Sequence, residues 1–460
     1  MKRQGAGPRR RLLDAIAESV YRNGAAATSV ATVLELAGVS RATFYRHFDN
    51  REDCLLAAYR DSVGRLRQRL APALDAPPPG SASSTERLRA LLEVSLDFAA
   101  EEPAAARLVL VEALAAGPRI REAHDRLVLE AEDAVERLLL GPDPGPSLQL
   151  PAAALLGAVW GIVSTRRSIA RSDPDRRALV PLLLEWLGAY LLPVGARPLE
   201  RSQWARLGRG LRHALETSPA GLQTSPFGPG AMPTAPPARG RLLTATAAIV
   251  ARRGYAALTV SDIVAAAGVT RGVFYGEFRN KGDAFDAVQT QILRESIAAA
   301  VSEFVLPESW PERVWGGLRG MLGYAGAHPE LTRLGVVETF AAGPAAIRRA
   351  HESRMSFALF LEEGFRLCRA WTSSRLVAEA IAGGVFGLMR RQLVCSYASE
   401  MLEVLPAASY VTLAPFLGAS AALEFVQAEA RRAPQGSRPA SPPSPAPRAP
   451  GCSTMLVAPG

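Results

Sequence analysis

The chain of 460 residues is long enough for two to four domains, and its 48% hydrophobic content supplies a sizeable core. Aromatic residues make up only 7%, while Ala, Leu and Arg dominate, a balance that favours helices over strands. The formal net charge of +9 fits either a polyanionic partner or a general arginine bias, and only the placement of the charges can decide.

Cys54, Cys368, Cys395 and Cys452 form no CxxC pair and have no His at ligand spacing. A disulfide framework and a metal centre are therefore not expected, and a reducing cytoplasm fits. Asp14 and Glu18 interrupt any secretory signal behind the basic N-terminus, and no run of about 18 apolar residues suggests a membrane span. There is no nucleophile elbow, P-loop or dinucleotide fingerprint, so no catalytic residue and no cofactor are expected, and the chain is not read as an enzyme.

In chain order, Leu12, Ile16 and Val20 share one helical face, with Leu13 and Ala17 beside them, and Asn23-Gly24 ends that helix. Ser29 is placed to cap a second helix through Val30, Val33, Leu34 and Ala37. Gly38 and Val39 then form a tight turn, and Ser40 caps a short third helix from Arg41 to His47. Helix, Gly-containing turn and helix make a helix-turn-helix. Phe44 and Phe48, at i and i+4, should pack inward, leaving Arg41, Thr43, Tyr45 and His47 to point elsewhere. Asn50 caps a fourth helix, supported by Asp53.

The same pattern returns at an offset of 230, where 20 of the 45 positions from 11 to 55 are identical. Further on the likeness weakens. Arg107-Leu-Val-Leu-Val-Glu112 answers Arg333-Leu-Gly-Val-Val-Glu338, and Gly157-Ala-Val-Trp-Gly161 answers Gly383-Gly-Val-Phe-Gly387. The expected division is 9–55 and 239–285 as two helix-turn-helix domains, and 56–195 and 286–432 as two helical regulatory domains. Residues 196–238 read as a linker holding a possible short helix, with Trp204, Leu207, Leu211 and Leu215 on one face. Its Pro/Gly/Ser/Thr-rich part, 218–240, has a flexible-coil reach of roughly 25 Å. The Pro/Ser/Ala-rich tail, 433–460, is expected to be disordered.

Ser40-Arg-Ala-Thr-Phe-Tyr-Arg-His-Phe48, followed by Asn50-Arg-Glu-Asp53, resembles the signature of the TetR family of transcriptional regulators. The resemblance covers both copies and is strongest in the helix-turn-helix segments. It implies an all-α fold and a ligand-responsive repressor of double-stranded DNA. The implied DNA-binding set is Ser40, Arg41, Thr43, Tyr45, Arg46, His47 and Arg51 in copy one, and Thr270, Arg271, Val273, Tyr275 and Lys281 in copy two. Arg41, Thr43 and Tyr45 would face the major groove or its walls, and Tyr45 and His47 would clamp phosphates. Arg51 would meet a phosphate at the N-terminus of the fourth helix. The Arg9-Arg10-Arg11 cluster is a further candidate for the phosphate backbone.

Copy two departs from the pattern. Gly276 and Glu277 stand where copy one has Arg46 and His47, and a carboxylate there would repel DNA. The resemblance also implies that the regulatory halves hold a small lipophilic effector and dimerise through a four-helix bundle, for which 152–167, 178–192, 377–394 and 408–426 are the candidates. Gly157, Gly161, Gly383 and Gly387, at spacing four, either let helices approach closely or are plain small core residues. His124 and His351 either line a pocket or satisfy core hydrogen bonds. Two assemblies are open: an intra-chain pseudo-dimer on an imperfect inverted repeat, or a homodimer in which only copy one reads DNA.

Overall fold

A computed structural model describes residues 7–25, 27–74, 84–140, 147–169, 176–217, 237–338, 351–368, 371–396 and 398–432. Among these residues the fold is all-α, and the one β-type pairing is an isolated bridge between Leu148 and Leu191. No helix among them is long and apolar enough to cross a membrane. The expected tail and most of the Pro/Gly-rich linker lie outside the described residues.

The first head is built from α1 (Pro8–Asn23), α2 (Val30–Ala37), α3 (Arg41–His47) and the start of α4 (Arg51–Leu74). The caps are those the sequence indicates. Ser29 Oγ accepts the Thr32 N–H at 3.1 Å, Ser40 Oγ the Thr43 N–H at 3.2 Å, and Asn50 Oδ1 the Asp53 N–H at 2.9 Å. Each bond satisfies a helix-end donor that has no partner within the helix. Gly38 closes the turn in the left-handed region, at φ 60° and ψ 44°, where a side chain is strained. Gly24 ends α1 as its C-cap with a positive φ of 83° and ψ of 161°, a conformation open essentially to glycine alone, and its N–H donates to the Val20 carbonyl. Phe44 and Phe48 are buried with Leu12, Ile16, Val20 and Val33.

The second head repeats this construction in α11 (Pro237–Arg253), α12 (Val260–Ala267), α13 (Arg271–Glu277) and the start of α14 (Lys281–Phe304). Thr259 and Thr270 take the two capping roles, accepting from the N–H groups of Asp262 and Val273. Gly268 makes the same left-handed turn at φ 62°. Equivalent caps and turn at both sites account for the ungapped repeat, because each position answers a local backbone need.

The first regulatory half continues through α5 (Ser84–Glu101), α6 (Pro103–Leu110), α7 (Pro118–Leu140), α8 (Ala152–Ile169) and α9 (Arg176–Gly188). Then comes α10 (Arg201–Thr217). The second half contains α15 (Trp310–Ala327), α16 (Pro329–Val336), α17 (Glu362–Leu367), α18 (Ser374–Cys395), α19 (Leu405–Leu417) and α20 (Ala419–Arg432). The expected bundle segment 408–426 is not one helix. It breaks at Gly418, where φ is 82°, three residues after Pro415.

The two halves share one continuous hydrophobic core, in which Leu155, Ala158 and Ile162 of α8 join Val377, Ile381 and Val385 of α18. At the seam α8 and α18 meet backbone to backbone. A β-carbon on Gly157 would stand 2.6 Å from the Gly383 carbonyl oxygen and 2.6 Å from Gly387 Cα, and one on Gly387 would collide with the Ala153 carbonyl. Close approach therefore explains Gly157, Gly383 and Gly387. At Gly161 the nearest neighbour would be Gly383 Cα at 3.4 Å, so an added methyl there is tolerable. Tyr190 crosses the same seam, donating its hydroxyl to the Val411 carbonyl at 2.7 Å.

Helix α10 belongs to this body rather than to a free linker. Trp204, Leu211 and Leu215 are buried in the shared core, and Arg212 Nε donates to Glu403 at 3.0 Å. Its amphipathic face was readable from spacing, but the surface that covers it comes from the other copy.

Candidate nucleic-acid interface

In α3 the inward pair Phe44 and Phe48 fixes which residues remain outside. Arg41, Arg46 and the cap Ser40 are exposed, Thr43 and His47 are half-buried, and Tyr45 is 50% exposed, its ring edge-on to Phe44 at 5.3 Å. These six side chains lie together on the helix that follows the Gly38 turn. The hydroxyls of Ser40 and Thr43 share a 3.0 Å hydrogen bond. Arg9 lies 5.7 Å over the Phe48 ring and is exposed, while Arg10 is held by Asp14 and Asp61 and Arg11 reaches the Gly38 carbonyl. Of the N-terminal arginine cluster, then, Arg9 is the one left to offer its charge outward.

In α13 the exposed residues are Tyr275 at 57%, Val273 at 38%, the cap Thr270 and Arg271, which donates to Ser261 at 2.7 Å. Glu277 is not a bare negative charge, because Arg239 pairs with it at 3.0 Å while stacking 4.8 Å over Phe278. Arg239 is the counterpart of Arg9 at the offset of 230. One substitution thus removes a histidine ring and also occupies the neighbouring cation, and the second head presents a smaller positive surface than the first.

Arg51 and Lys281 each hold partners inside their own head. Arg51 Nη1 donates to the carbonyls of Ala25 at 2.8 Å and Thr28 at 3.0 Å, and Lys281 Nζ donates to the Leu258 carbonyl at 2.8 Å. The turn before the second helix of each head leaves carbonyls without helical partners, and a long cation at the start of the fourth helix is within reach. These two residues position the head.

Sequence reading gave no role to Glu112 and Glu338, although both end the repeated Arg-Leu-x-x-Val-Glu segment. Each is a buried carboxylate that fastens a head to the helical body. Glu112 Oε2 accepts the Ala25 N–H at 2.9 Å, and Glu338 Oε2 accepts the Tyr255 N–H at 3.2 Å. Their cationic partners differ. Arg107, from the same copy, donates to Glu112 at 2.9 Å, whereas Glu338 is paired with Arg121 from α7 of the first copy. The second head is therefore anchored through the first half.

Between the halves lies a cavity of about 800 Å³ lined by α4, α5, α6, α7, α8, α14, α15, α16, α18 and the stretch 352–357. Its walls are mostly apolar, with Leu70, Phe98, Val159, Leu293 and Met321 among them. Two cross-copy ion pairs lie on its wall, Asp125 with Arg390 and Glu132 with Arg391. His124 lies on this wall, fully enclosed, its Nδ1 3.3 Å from the Tyr59 hydroxyl and its Nε2 without a partner among the described residues. Of the two roles open from sequence it fills both. His351 is half-buried and belongs to the second copy.

Burial, and secondarily the Arg390 charge, hold His124 well below the usual histidine range, so the folded protein keeps it neutral. The unfolded chain takes up that proton first as pH falls through about 6.5, so folding loses stability below that pH. Replacing His124→Gln should flatten the fall in Tm between about pH 7.5 and 5.5 relative to the parent chain, read by thermal unfolding at both pH values. Equal slopes would show that His124 takes up protons alike in both states.

Two helix-turn-helix heads on one helical body define a DNA-binding regulator. Residues 12–58 and 242–288 both match the family described as bacterial regulatory proteins, tetR family, so the two heads are tetR-family DNA-binding segments in tandem. It is 29% identical over 202 residues to the HTH-type transcriptional regulator BetI of Rhizobium meliloti, covering 42% of this chain and 94% of that protein. It is 35% identical over 72 residues to the HTH-type transcriptional regulator TtgR of Pseudomonas putida, covering 16% of this chain and 34% of that one. Among solved structures, FadR of Bacillus subtilis in complex with stearoyl-CoA aligns at a TM-score of 0.33 and 20% identity, over 39% of this chain and 96% of that one. A TetR-family regulator of Syntrophomonas wolfei aligns at 0.34 and 17%, over 42% and 95%.

Proposed function

We propose that the chain is a ligand-responsive repressor that works as a single-chain pseudo-dimer, in the cytoplasm, on an imperfect inverted repeat. The observation that carries this reading is the seam between α8 and α18, where glycine backbones of the two copies meet within one chain. A contact of that kind occupies the faces that two separate subunits would otherwise use. In this reading 9–55 and 239–285 are the reading heads, and Arg41, Thr43, Tyr45, Arg46 and His47 carry most of the contact. Ser40 and Thr270 cap the two reading helices, and Arg271, Val273 and Tyr275 read the second, weaker half-site. An effector in the shared cavity shifts the spacing of the heads and releases the DNA.

A second reading is favoured by the Arg239–Glu277 pair, which occupies a cation on the second head. There the whole chain dimerises and only copy one reads DNA. Selecting random duplexes with the purified chain near physiological salt, and measuring the mass of the bound species, separates the two. One chain on two unlike half-sites at fixed spacing is the expected result. Two chains on a true palindrome would select the second reading, and no enrichment would end both.

A further inference from the structure

The cavity wall holds one charge that the repressor reading leaves unexplained. Arg354, in the helical stretch 351–356, is buried at 6% exposure, and its Nη2 has no hydrogen-bond partner among the described residues. Its guanidinium lies 5.9 Å over the Trp160 ring of the first copy and 5.8 Å over the Phe386 ring of the second. Other arginines on the wall already hold carboxylates: Arg390 with Asp125, Arg391 with Glu132, and Arg67 with Glu130. The counter-charge acting on Arg354 is Glu379, and Arg375 Nε also donates to that carboxylate at 3.0 Å.

Burying a cation without a full set of partners is costly, and aromatic faces offset only part of that cost. Burial lowers the Arg354 pKa to about 10, which still leaves it charged at neutral pH. A guanidinium fork matches the geometry of a carboxylate or a phosphate. The remaining walls are largely apolar, and about 800 Å³ lies within the range of small-molecule sites.

We propose that the effector is an amphipathic anion, one per chain, with its acidic headgroup on Arg354 between Trp160 and Phe386 and its hydrocarbon body in the apolar part of the cavity. This rests on the ligand-responsive reading above and deepens it. The headgroup sits on side chains from both copies, so one ligand acts on the seam that joins them. The sequence carried no signal for this site, because Trp160 and Arg354 are 194 residues apart and the position gains meaning only when the halves pack.

The test uses the full chain, titrated calorimetrically with laurate and with dodecanol, which share a chain length and differ in headgroup charge. DNA release is followed in parallel. Laurate should bind about tenfold tighter than dodecanol, at one per chain. Arg354→Gln should abolish the difference and Arg354→Lys should keep part of it, with thermal unfolding confirming that each variant folds. Should Arg354→Gln fail to fold, the parent chain and Arg354→Lys still decide. Equal affinity for both probes, with either one releasing DNA, overturns the anionic headgroup and leaves the effector reading standing. Two laurates per chain overturn the shared site. No binding of either probe, with DNA retained throughout, overturns the proposal and counts against the effector reading too.

Discussion

Gly157→Leu is expected to destabilise the chain by about 3 kcal/mol and to weaken DNA binding with it. The reason is the lack of room for adjustment. The added side chain would meet the Gly383 carbonyl and Gly387 Cα, both backbone, so α8 and α18 must separate. Separation opens the shared core around Leu155, Ile162, Val377 and Ile381 and frees the heads to change their spacing. Gly161→Ala is the matched control, since its methyl would make ordinary contact, and a change below about 1 kcal/mol is expected there. Denaturant unfolding of the three proteins, with DNA titrations alongside, reads both effects. A neutral Gly157→Leu would mean that the helices do not meet as described.

The second large effect is predicted at Arg121. Arg121→Met leaves Glu338 buried with, among the described residues, only the Tyr255 N–H on its carboxylate, a loss of about 3 kcal/mol for a charge stranded in the interior. The effect should appear at the second head, although the substitution is in the first copy. Hydrogen exchange of the amides around Gly254 and Tyr255 should quicken, while the Gly24–Ala25 turn, held by Glu112 and Arg107, stays protected. Combining Arg121→Met with Glu338→Gln should recover much of the loss, because the amide oxygen can still accept the Tyr255 N–H and no charge is left unpaired. Equal quickening at both turns would contradict the crossed anchoring.

The parts of this protein that were legible in its sequence are those decided within a few residues. Ser29, Ser40 and Asn50 could be read as caps, and Gly38 as the turn, since each answers a backbone need set by its neighbours. Phe44 and Phe48 could be placed inside by spacing alone, and the exposed reading face followed from what was left. What could not be read depends on residues far away in sequence. The inward turn of Arg51 needs the position of the Ala25 and Thr28 carbonyls, and the pairing of Glu277 with Arg239 needs the first helix of its head. The repeat does not extend to the partners of the two carboxylates. Arg107 and Arg333 occupy equivalent places, yet Glu338 takes Arg121 instead, because α7 of the first copy lies beside it. Similarity between copies gives each unit its own fold, and the contacts between units lie outside that similarity.

Because α8 and α18 belong to one polypeptide, the partner surfaces never dilute away from each other. Two separate subunits at low abundance fall apart by mass action, and the occupancy of their operator then varies with roughly the square of protein concentration. Covalent fusion replaces that second-order step with a fixed local concentration. A regulator built this way would occupy DNA in direct proportion to the number of its molecules, giving a graded response to its own expression level, even in a cell holding only a few copies.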